Sequence, residues 1–202
     1  MSSKELDIQE RLELELQPEL GASGPVALPA LSLAVLTIVR QARARTSRSK
    51  AVLFVSSAVQ SMLGRGGDAA FQFDDAVRTC FAEPRDVQVY VSDLLVRVEA
   101  KGRLKTLAAV RQQAQVDMAK SADAGVAPFL AFALTATTLV RGIAALERDR
   151  ATVVELATSS AVALLQERPS LGMSAFSGDH GELRAYVDEV ARRLEASPSP
   201  SR

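Results

Sequence analysis

The side chains that most often carry out catalysis or bind metals are scarce in this chain, which has one histidine, His180, and one cysteine, Cys80. A zinc site needs about four nitrogen, sulfur or acidic ligands at close spacing, and His180 has no such neighbours in the sequence. We expect His180 to be a solvated residue beside a helix start, and Cys80 to pack as a small apolar side chain. Nothing in their positions indicates a cysteine–histidine dyad. We therefore expect no metal and no cofactor.

Two further motifs have compositions that occur in active sites. Residues 64–68 read Gly-Arg-Gly-Gly-Asp, but a phosphate-binding loop follows a strand and needs Lys with Ser or Thr, whereas this segment follows a predicted helix. We interpret it as a turn. Asp74 and Asp75 are adjacent, so on a helix they face different ways, and we expect them at a helix N-terminus, where acids offset the dipole. The sequence thus predicts no enzyme activity.

A cluster of cations is the candidate binding surface. Between residues 40 and 50 the chain has no acid and five basic residues, which we call the basic cluster: Arg40, Arg43, Arg45, Arg48 and Lys50. It would suit phosphate, lipid headgroups or an acidic protein partner, although a solvated helix end followed by a turn gives the same pattern. Residues 1–24 contain six acids and two basic residues. The acidic segment 1–19 is therefore also a candidate intramolecular cover for the basic cluster.

The overall composition argues against several classes of protein. Lys+Arg and Asp+Glu are equal at 24 each, so the basic excess of a nucleic-acid-binding protein is absent, and we do not expect a nucleic-acid partner. A single cysteine permits no intramolecular disulfide, which fits a reducing compartment. The N-terminus has the pattern of neither a signal peptide nor a transit peptide. We expect an intracellular, cytoplasmic protein.

The elements that must position these residues are predicted to be helices. Apolar residues make up 48 % of the chain, aromatic residues only 4 %, and there is no Trp, so the core must be built from Ala, Val and Leu. Residues 4–17 have features of both a helix and a strand, because leucine alternates with glutamate there. Elsewhere apolar residues recur at helical spacing, and the predicted helices run from residue 28 into the basic cluster and over 48–63, 74–81, 84–98, 104–120, 124–146, 151–166 and 179–194.

The stretch Ala124–Val140 contains no charged residue. We expect a helix over 124–146 that is buried on nearly all sides, with the other helices packed around it. Seventeen uncharged residues are at the lower limit for crossing a bilayer, so a buried core helix is favoured over an integral span, with conditional membrane contact as the alternative. The predicted fold is all-α, a single globular bundle of seven or eight helices. Its parts are an acidic segment and linker over 1–24, a helical domain over 25–196, and a disordered tail over 197–202.

One short motif resembles a known family. Leu63 followed by Gly67 and Asp68 is similar to the Leu-x-x-x-Gly-Asp core of the death-motif helix in B-cell-lymphoma-type apoptosis regulators. The resemblance implies amphipathic helices wrapped around a central apolar hairpin, and a partner helix bound in a groove. The chain departs from the family pattern because it lacks the Trp of the family's Trp-Gly-Arg turn.

These observations predict a non-enzymatic interaction or regulatory protein that binds a protein partner through a helical face or groove. One alternative is an apoptosis-regulator-like or membrane-active bundle that binds amphipathic helices. Another is a sensor that holds a small molecule in an apolar pocket between helices. The wide apolar faces would also suit a homo-oligomer.

Overall fold

A computed structural model describes residues 3–16, 27–64, 79–100, 104–167 and 180–196. These residues form eight helices and no strand, which confirms the all-α fold class. The helices are α1 (Ser3–Leu16), α2 (Ala27–Arg45), α3 (Arg48–Gly64), α4 (Pro84–Glu99), α5 (Leu107–Asp123), α6 (Pro128–Ala144), α7 (Arg150–Glu167) and α8 (His180–Glu195). The predicted linker, the glycine-rich turn, most of the 74–81 helix and the tail lie outside the described residues. None of the described helices is both long enough and apolar enough to cross a membrane.

Contacts group the described residues into two compact units, one within residues 1–95 and the other within residues 96–196. The boundary falls inside α4, where the sequence has no glycine and, after Pro84, no further proline. For that reason a division at this point was not expected from the sequence.

In the first unit α1, α2 and α3 pack against one another. Residues 3–16 form a helix despite the strand-like alternation of leucine and glutamate. Burial follows the helical period, since Ile8 and Leu12, four residues apart, are buried and Leu14 is 60 % exposed. Only two residues separate α2 from α3, and the two helices form a hairpin. The hairpin core is aliphatic, as the composition predicted, and its fully buried side chains include Leu31, Val35, Ile38, Val39, Val55 and Val59.

In the second unit α6 lies against α5, α7 and α8. It is buried on nearly all sides, as predicted. Its two most buried threonines do not leave polar groups unpaired, because the hydroxyls of Thr135 and Thr137 donate to the carbonyls of Ala131 and Ala133, at 2.8 and 3.1 Å. These hydrogen bonds satisfy the buried hydroxyls, which allows a helix containing threonine to occupy the core.

The central helix is shorter than the predicted span of 124–146. Gly125 has a φ of +78°, and its N–H donates to the carbonyl of Ala122 while that of Val126 donates to the carbonyl of Ser121. This pair of hydrogen bonds is a Schellman motif, which ends a helix at a left-handed residue. Residues 124 and 125 thus close α5, and α6 begins at Pro128.

Close approach of α5 and α6 depends on Gly142. A Cβ atom at this position would lie 2.6 Å from Cγ1 and 3.0 Å from Cγ2 of Val110. Val110 is fully buried, and its β-branched side chain has little rotameric freedom on a helix. The glycine therefore sets the separation of the two helices at their crossing.

We expect Gly142→Ala to lower the free energy of unfolding by about 1 kcal/mol, because overpacking costs about 1–3 kcal/mol and alanine returns about 1 kcal/mol of helix propensity. Urea denaturation measures the change. Gly181→Ala, at an exposed position in the first turn of α8, is the matched control and should be neutral or slightly stabilising. Adding Val110→Ala to Gly142→Ala should cost less than the sum of the two single changes; strictly additive costs would contradict the steric account.

Candidate functional site

The α2–α3 hairpin brings the basic cluster to one end of the first unit. Arg43 and Arg45 lie in the last turn of α2, and Arg48 and Lys50 in the first turn of α3. All four side chains are exposed, whereas Arg40, one turn earlier, is half-buried. Because only two residues connect the helices, cations that are separate along the chain become neighbours at the turn between α2 and α3. We call this end of the hairpin the corner. The cluster is therefore a real surface feature of the fold.

The acidic segment packs on this hairpin through α1. Ile8 and Leu12 are buried there, 9 % and 0 % exposed, and the Arg11 Nη1 donates to Gln41 Oε1 at 2.9 Å. Asp7 accepts a hydrogen bond from Arg11 Nε at 3.3 Å and lies 3.8 Å from Arg45 Nη1. The segment therefore reaches the basic cluster at Arg45.

The apolar contacts hold α1 in place more firmly than the ion pair does. The Asp7 and Arg45 side chains are 55 % and 61 % exposed, and pairs with that exposure contribute about 0–1 kcal/mol. Burial of a leucine or isoleucine side chain contributes roughly 1.5–3 kcal/mol. The Asp7–Arg45 ion pair therefore adds little to the stability of this packing. The side chains of Arg43, Arg48 and Lys50 remain exposed.

A cavity of about 210 Å³ lies between α1 and the hairpin. Part of its wall is apolar and part is polar. The apolar part comes from Ile8, Ile38, Ala42 and Phe54, and the polar part from Asp7, Arg11, Gln41, Arg45 and Thr46. Helix α1 thus fits the hairpin imperfectly, at the point where it meets the basic cluster.

The cavity joins residues that the sequence analysis did not single out, namely Arg11, Gln41 and Phe54. The packing of α1 on the hairpin cannot be read from periodicity, since α1 is separated from α2 by a linker. One feature of the sequence could have indicated the cavity. Phe54 is the single aromatic residue of α3, and it lies four residues after Lys50, the last cation of the basic cluster.

The other sequence candidates lie in different units or outside the described residues. Cys80 is half-buried in the first unit, and burial raises the pKa of its thiol, which favours the protonated, less nucleophilic form. His180 is exposed at the first residue of α8 in the second unit. Leu63 is half-buried in the last turn of α3. Gly67 and Asp68 lie outside the described residues, so the resemblance that they carry stays a prediction.

Several ionic groups of the second unit have partners within that unit. Buried Arg97 forms an ion pair with Asp117, and Gln113 donates to the same carboxylate at 2.7 Å. Glu189 accepts from both Arg192 and Arg193, and the hydrogen bond from Arg192 is the main cause that lowers the pKa of Glu189. Among the described residues, no group of three or more His, Cys, Asp or Glu side chains is placed to hold a metal ion.

Comparisons with protein-family models, with curated proteins and with solved structures found no match to this chain. The function of this protein must therefore be inferred from its own residues.

We expect Leu12→Ala to loosen α1 from the hairpin, because truncating a fully buried leucine costs about 2–5 kcal/mol. Leu14→Ala changes the same residue type on the same helix at an exposed position, and it is the matched control. Hydrogen–deuterium exchange should show faster exchange of the α1 amides in Leu12→Ala and little change in Leu14→Ala. Equal exchange in the two variants would show that α1 is not held by this contact.

Proposed function

We propose that this protein is a non-enzymatic interaction protein whose basic cluster binds an acidic segment of a protein partner. The observation that carries the proposal is the exposure of Arg43, Arg45, Arg48 and Lys50 together at one corner. A surface of one sign attracts a partner of the opposite sign and accelerates its association.

The positions of these cations on the helices support a role beyond folding. Arg43 and Arg45 lie at the C-terminus of α2, where the helix dipole favours positive charge. Arg48 and Lys50 lie in the first turn of α3, which contains no acid, and there the dipole disfavours them. Helix N-termini usually favour acidic side chains, so a helix start with two cations and no acid is unfavourable for stability. Such departures concentrate at functional sites.

An apolar side chain beside the cations indicates what kind of acidic segment would fit. Leu53 is 50 % exposed on α3 and shares a face with Lys50, three residues before it. Protein interfaces combine an apolar centre with a charged rim. The proposed partner segment is therefore an acidic amphipathic helix. Helix α1, which is itself acidic and buries Ile8 and Leu12 on a neighbouring surface of the same hairpin, supports this choice.

We expect the double variant Arg48→Gln/Lys50→Gln to bind a synthetic Glu/Leu amphipathic peptide roughly 5- to 30-fold more weakly, since each exposed cation contributes up to about 1 kcal/mol. The matched control is Arg148→Gln/Arg184→Gln, which removes two exposed cations from the second unit. Fluorescence anisotropy measures the affinities, and rising salt should reduce the difference between the double variant and the wild type.

Two results would overturn the proposal: equal loss of affinity in the control variant, or equal binding of a peptide in which Lys replaces every Glu. Binding to vesicles rich in anionic lipid, without binding of the Glu/Leu peptide, would replace it with the membrane-active alternative. If the peptide experiment succeeds, affinity capture with the wild type and both variants would identify the partner as the protein that the Arg48→Gln/Lys50→Gln variant alone fails to retain.

A further inference from the structure

We infer that the cavity between α1 and the α2–α3 hairpin is a binding site for a small amphipathic anion, specifically an organic monocarboxylate with a short apolar tail. This inference concerns a different ligand class from the protein partner proposed above. It rests on the shape, the wall and the charge of the cavity, and Arg45 is the one residue that the wall shares with the basic cluster.

The size of the cavity sets the size of the tail. A cavity of about 150 Å³ with an apolar wall can bind benzene. The cavity here, at about 210 Å³, is larger, so it has room for an alkyl tail of several carbon atoms. Octanoate has a tail of this kind behind a single carboxylate.

The apolar side chains of the cavity wall explain why binding of a ligand there would be favourable. Ile8, Ile38 and Phe54 face the space, and Ala42 is too small to fill it. Apolar side chains that face an opening of this size are in contact with solvent, and covering them with an alkyl tail removes apolar surface from water. A bound alkyl tail would touch α1 and the hairpin at the same time.

The polar part of the wall selects the charge of the ligand. Among the wall residues that the structure describes, Arg11 and Arg45 contribute two positive charges and Asp7 one negative charge, an excess of one positive charge. A guanidinium group binds a carboxylate through two parallel hydrogen bonds. Arg45 is the better anchor, because its carboxylate partner is 3.8 Å away, whereas Arg11 already bonds Asp7 at 3.3 Å and Gln41 at 2.9 Å. Asp7 would repel a second negative charge on the ligand, which favours a monoanion.

We expect octanoate to bind the full-length protein saturably, and octylammonium, which has the same tail and the opposite charge, to bind at least tenfold more weakly. Affinity should rise about fourfold per methylene from butanoate to octanoate, as apolar surface leaves water. Isothermal titration calorimetry below the micellar concentration measures both trends. Equal affinity for octanoate and octylammonium would overturn the charge assignment and with it the inference.

Two variants locate the site. Ala42→Leu should fill the cavity and reduce octanoate affinity at least tenfold. Arg45→Gln should reduce it several-fold, whereas Arg85→Gln, which removes an exposed arginine of α4 outside the cavity wall and outside the basic cluster, should leave it unchanged. Circular dichroism shows whether Ala42→Leu is folded, and the arginine pair decides the question even if it is not. Identical affinities for Arg45→Gln and Arg85→Gln would show that octanoate binds elsewhere.

Discussion

The two-residue connection between α2 and α3 is the constraint on which the candidate site depends. A connection this short leaves the chain no room to separate the end of one helix from the start of the next. The arginines that end α2 must therefore lie beside the cations that begin α3. Repulsion between these cations destabilises the hairpin. Burial of the aliphatic hairpin core, in which Val35, Ile38 and Val55 are fully buried, offsets this loss of stability.

The same hairpin presents two surfaces with different physical character. Along its length it is apolar, and there α1 docks by burying Ile8 and Leu12. At its end it is cationic and solvated, and there the carboxylate of Asp7 on α1 reaches Arg45. The cavity lies where the two surfaces meet, since its wall includes Ile38 and Phe54 as well as Arg45. Its amphipathic character follows from this position.

Helical periodicity predicted most of the fold, since the apolar spacing located α3, α4, α7 and α8 to within a few residues. It failed where tertiary contacts decide the outcome. The choice between helix and strand in α1 required knowledge of what buries Leu12, and the division of the described residues inside α4 is not marked by a glycine or an internal proline. The basic cluster was visible in the sequence because it is local. The cavity was not, because Arg11 and Phe54 come from helices separated along the chain and meet only through packing.

Arg45 connects the two proposed binding events. It belongs to the exposed corner, it lies in the cavity wall, and it is 3.8 Å from Asp7. A carboxylate ligand anchored on this guanidinium would reduce the positive charge available to an acidic partner while stabilising α1 on the hairpin. Linkage then requires the reverse effect of equal size: an acidic partner at the corner would weaken the ligand by the same factor. Because one exposed ion pair contributes about 0–1 kcal/mol, the coupling through Arg45 alone would be modest, about fivefold at most. A stronger coupling would need α1 itself to move, and the burial of Leu12 opposes that movement.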